Sequence, residues 1–119
     1  MHTQTAFTSP QHAAIAALRR ELAKRVKRTV SVDFGTTDDG KLSDVAFVVD
    51  ELPEGAFGRP GPLVSILTGP SNKGEGFVVM GADGAALAEG VSLARAVQSA
   101  RVAAVRKYRE MARGALKVA

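Results

Sequence analysis

The chain has 119 residues, 45% of them hydrophobic, with no cysteine and a net charge of +4. That is the size and composition of one globular domain whose core needs no disulfide, and it excludes thiolate metal sites and cysteine nucleophiles. The net charge conceals a segregation: residues 9–28 carry +5, residues 29–90 carry −7 and residues 91–119 carry +6.

Residues 1–8 are expected to be a flexible tail and 9–119 a single domain. The start of the chain shows no basic stretch followed by an apolar run, so no secretory signal is read. No apolar run approaches the ~20 residues that cross a bilayer. A cytoplasmic location is therefore expected, with no membrane partner. The richness in Ala, Arg, Val and Gly is of the kind that GC-rich bacterial genomes and their plasmids and phages encode.

Ser9-Pro10 is a helix start, because Ser caps and Pro is tolerated in the first turn. Ile15, Leu18, Leu22 and Val26 recur at three- and four-residue spacing, which predicts an amphipathic helix over about 10–27. Arg20, Lys24, Lys27 and Arg28 project from its other side. The period then changes to two, with Val30, Val32 and Phe34 alternating with Ser31 and Asp33, as in a half-buried strand. Asp39-Gly40 is a tight-turn dipeptide, and Val45–Val49 returns as an apolar strand, so the two pair as a hairpin. VAFVV belongs in the sheet interior, since an exposed apolar edge would aggregate.

The stretch 51–62 holds three prolines and three glycines and is an irregular connection that carries Phe57 back to the core. Leu63–Thr68 is a third strand, GPSNKGEG (69–76) a loop, and Phe77–Met80 a fourth strand. Residues 82–85 turn the chain into a short fifth strand, Ala86–Ala88, which is the expected edge. Ser92 caps a long helix that runs to about 112 and stops near Gly114. The sequential run of strands predicts an α+β domain: an antiparallel four- to five-stranded meander with the N-terminal and C-terminal helices on one face, in the order α-β-β-β-β-(β)-α.

The last helix carries the clearest functional signal. Leu93, Val97, Ala100, Ala104, Tyr108, Met111 and Ala115 share one face. At about 100° per residue, Arg95, Arg106, Arg109, Arg113 and Lys117 cluster opposite it. Five bases with almost no acid among them, Glu110 being the exception, suit a phosphate backbone, and counterion release would make the binding salt-sensitive. With Arg20, Lys24 and Lys27 from the first helix, these residues are the expected nucleic-acid contacts. Few aromatics are available for stacking, so backbone or duplex recognition with weak sequence preference is expected.

Other constellations carry less. In GPSNKGEG, Lys73 is followed by Gly74 and then a strand, unlike a phosphate loop. The acids do not match calcium-loop spacing, and His2 and His12 offer little acid–base material. No cofactor, metal or catalytic centre is implied, and the chain reads as a non-enzyme. The competing expectation is a protein-interaction module, of the kind a mobile element uses as an accessory or inhibitor. Its working surface would be the acidic sheet region, Asp33, Asp38, Asp39, Asp44, Asp50 and Glu51. A homodimer is expected, with the Ala-rich seam of the last helix as its contact. Basic helices on an acidic sheet further predict ion pairs between the two layers.

Overall fold

The computed structural model describes residues 9–36, 42–52, 61–68 and 76–118, with side chains at 10–35, 44–52, 61–68 and 76–113. The elements are α1 (Ser9–Val26), β1 (Val30–Thr36), β2 (Leu42–Val49), β3 (Pro62–Thr68), β4 (Phe77–Gly81), β5 (Ala86–Val91) and α2 (Leu93–Val118). The strands form one antiparallel sheet in sequential order, with β1 and β5 at its edges and β2 inside. This is the predicted α+β meander. Asp38, Asp39, Phe57, Lys73, the tail at 1–8 and the side chain of Lys117 lie outside the described residues.

Period-two alternation builds the sheet's inner face. Val30, Val45, Phe47, Val49, Val64, Ile66 and Val79 are all buried, and Phe47 stands opposite Val32 on one side and Val64 on the other. A register shift between Phe47 and Val48 lets the successive residues Leu63 and Val64 both be buried. The opposite face presents Ala46, Val48, Ser65, Leu67, Val78 and Met80, all half-buried, and no described element covers it. At the β1 end of that face Gly35 pairs with Asp44. A Cβ at Gly35 would collide with the Asp44 carboxylate.

Both helices pack on the inner face. α1 buries Ile15, Leu18, Leu22 and Val26, lying against β1 and α2. α2 buries Ala96, Ala100 and Ala104 completely, and these small side chains let its backbone approach β3, β4 and β5 closely. The expected dimer seam is therefore occupied inside the monomer. Ala96 belongs to it, and the residues expected around it, Leu93, Val97, Tyr108 and Met111, are half-buried. Ser92 caps α2 as expected, its Oγ accepting from the Arg95 N–H at 3.3 Å.

Two helix ends differ from expectation. α1 stops at Val26, and Lys27 takes a left-handed backbone conformation with φ 58°. Lys27 is thus the residue that breaks the helix. Arg28, beyond it, is half-buried and donates from Nη1 to the Lys27 carbonyl at 3.1 Å. α2 continues through Gly114 to Val118. One glycine costs a helix about 1 kcal/mol, too little to end a long helix whose neighbours are good helix formers.

The helices run in the same direction. Glu21 meets Arg101, and Arg25, one turn further along α1, shares a groove with Arg109 and Arg113 further along α2. No helix among the described residues is long and apolar enough to cross a membrane.

Candidate nucleic-acid interface

The outward face of α2 follows from the alanine seam. Once Ala96, Ala100 and Ala104 set the buried side, Arg95, Gln98, Val102, Arg106, Arg109 and Arg113 must point to solvent, and all six are exposed. Among the described residues the side chains of Arg95, Arg106, Arg109 and Arg113 form no hydrogen bond or ion pair. Four guanidinium groups, five N–H donors each, are thus held on one rigid element with their donors turned to water.

Where α1 meets α2 the arginines converge. Arg25, Arg101, Arg106, Arg109 and Arg113, with Gln98, Val102 and Val105, line an open groove of about 550 Å³. Glu21 is the acid on its rim. Its Oε2 accepts from Arg25 Nε at 3.0 Å and from Arg101 Nη1 at 3.1 Å, so one oxygen joins both helices. Burial alone would push the Glu21 carboxyl up. The hydrogen bonds from Arg101 and Arg25, and then their charges, outweigh that and hold it below its ordinary value of 4.5. A second depression of about 510 Å³ lies between α2 and β5, where Leu87, Ala88 and Val91 meet Arg95, Val102 and Arg106.

The expected contact residues separate into groups. Arg95, Arg106, Arg109 and Arg113 form the α2 face. Arg20 and Lys24 are exposed on the outer pole of α1 and extend the basic layer sideways. Lys27 lies elsewhere, beside Arg19, Arg28 and Glu51 in a hollow at the end of α1. Arg25 and Arg101 belong to the groove although the basic stripe of α2 does not include them. The one acid of α1 was the available signal, since an acid amid bases marks the side that turns to the other helix.

The expected acids that are described lie in two places. Asp33, opposite Ala46, and Asp44, opposite Gly35, are near neighbours on the sheet face away from the helices. Asp50 sits at the other end of the hairpin, accepting from Ser31 Oγ at 2.8 and 3.1 Å, with Glu51 beside it. Among the described residues apolar packing, not the expected ion pairs, joins helix to sheet. The polar link there runs from Arg19 Nη1 to the Val30 carbonyl at 3.2 Å, and the ion pair between elements joins helix to helix. Among the described residues no group of three or more His, Cys, Asp or Glu could hold a metal ion.

Comparison with protein-family models, curated protein sequences and solved structures found no match.

Proposed function

We propose that this is a small non-enzymatic nucleic-acid-binding protein whose helix layer contacts the phosphate backbone. The observation that carries it is the row Arg95, Arg106, Arg109 and Arg113, exposed on one helix with Glu110 as the acid among them and with no ion pair formed among the described residues. A solvated structural face ordinarily alternates acids and bases that pair at four-residue spacing; here one acid, Glu110, stands among four arginines. Arg25 and Arg101 widen the row into a groove, and Arg20 and Lys24 add charge beside it.

Titration of labelled duplex DNA at two salt concentrations tests this. Affinity should fall steeply with salt, by about 0.9 logarithmic units per tenfold salt for each phosphate contacted. Replacing Arg95, Arg106, Arg109 and Arg113 by Gln should remove most of the affinity and flatten that slope. Absence of binding at low salt, or binding indifferent to salt, overturns the proposal.

The sheet face that no described element covers favours a second role, contact with a protein. There Asp33 and Asp44 border the apolar Ala46, Val48, Leu67, Val78 and Met80, a pattern complementary to a partner with apolar and basic side chains. Light scattering that gives twice the chain's 12.4 kDa would identify a second copy as that partner. Leu67→Lys should then restore the monomer, and a monomer at all concentrations would remove the homodimer.

A further inference from the structure

The outward face of α2 is not uniformly basic, and the exception is ordered. Projected at about 100° per residue, its crest, farthest from the alanine seam, is formed by Gln98, Val102 and Arg109. Arg95 and Arg106 lie down the flank toward β5, and Arg113, further along, lines the groove shared with α1. Arg101, with Arg25 from α1, occupies the opposite flank. Val102 is 53% exposed in the middle of this face. Among the described residues the Gln98 side chain makes no hydrogen bond. Contact with phosphate alone gives no reason for an amide and an exposed apolar side chain at the summit of a basic helix.

We propose that α2 lies in the major groove of double-stranded DNA, with Gln98 and Val102 against base edges and the two basic flanks against the two phosphate walls. This inference rests on the nucleic-acid role proposed above. A helix with its side chains is about 10–12 Å across, and the major groove of B-form DNA is about 12 Å wide. A helix seated there meets bases along its crest and a backbone on each side, which is the order of side chains found on α2. Gln98 has the donor and acceptor that suit adenine, Val102 the apolar surface that suits a thymine methyl, and Arg109 the fork that suits guanine. The deep, narrow major groove of A-form RNA does not admit such a helix. α1, alongside α2, places Arg25 and Lys24 over one phosphate wall instead of inside the groove.

Selection from a pool of duplex DNA with a randomised core, followed by titration of the enriched duplex, tests the inference. The protein should enrich a short motif containing A·T pairs. Gln98→Ala and Val102→Ala sit at exposed positions and should keep the helical circular dichroism and the salt slope while losing about tenfold in affinity for the enriched duplex. Replacing thymine by uracil in that duplex should weaken the native protein about fourfold and leave Val102→Ala unchanged. Salt-dependent binding with no enriched motif, unaffected by both substitutions, overturns groove reading and leaves the phosphate contact standing. Binding to single strands or duplex RNA as tight as to duplex DNA also overturns it. Loss of all binding at low salt removes both proposals.

Discussion

Glu21 carries more consequence than any other single side chain outside the core. Its one carboxylate oxygen holds Arg25 and Arg101, two cations that would otherwise face an incoming phosphate. Because its folded pKa is depressed, its stabilising contribution is fully present above its ordinary value of 4.5 and is lost as pH falls through the lower folded value. Glu21→Gln should therefore flatten the acid limb of thermal stability just below 4.5, where that contribution is lost, while changing neutral-pH stability by less than about 1 kcal/mol, as expected of a part-exposed pair. The same variant frees both arginines. Its nucleic-acid affinity at low salt should rise and its salt slope steepen by about one to two phosphate equivalents, read by the same titration. Lys27 makes the opposite point. At φ 58° a side chain costs about 1–2 kcal/mol that glycine does not. Lys27→Gly should raise the urea midpoint by the equivalent of about 1 kcal/mol, and because Lys27 lies away from the α2 face it should leave binding nearly unchanged.

At the scale of elements, α2 is two structures in one. Through Ala104 it is a close-packed helix on the sheet; beyond that its described side chains are only half-buried or exposed. Ala100→Leu forces three carbons into a fully buried contact and should cost about 1–3 kcal/mol in urea unfolding. Val102→Leu, two residues on and exposed, should cost almost nothing. Element types and order were legible in the sequence because Val30 to Phe34 alternates at period two and Ile15 to Val26 at period 3.6. Two features were not. Nothing local distinguishes an alanine stripe that packs on its own sheet from one that pairs with another copy; that depends on how close the backbone comes. Nor does periodicity show which flank of a helix a neighbour will occupy, so Glu21 was the sequence's one hint of the groove that Arg25 and Arg101 line once α1 and α2 are side by side.

For the whole molecule, the charge blocks of the sequence become layers. The basic ends form the helix layer, and Asp33, Asp44, Asp50 and Glu51 belong to the first hairpin and the turn that follows it. Since the union of the layers is apolar, the exposed charges of α2 are free of structural duty. Changing Arg95, Arg106, Arg109 and Arg113 together to Gln should shift the melting temperature by no more than a few degrees, within about 0.5 kcal/mol for surface changes. It also cancels the net +4, and a chain near neutrality should be less soluble at pH 7 than the native protein. A large loss of stability would show that the arginines support the fold, against the role proposed for them.

The common direction of α1 and α2 has an electrostatic consequence. Peptide dipoles in an antiparallel helix pair cancel; here they add, equivalent to about half a positive charge at each N-terminus. Neither helix has an acid in its first turn, so that positive potential is not neutralised there. At the other pole, where the dipoles are negative, Lys24 and Arg25 close α1, and Arg109 and Arg113 lie along the last part of α2. Partial charges at one end and full charges at the other thus leave both ends of the helix layer positive. A polyanion laid along it would meet no repelling end.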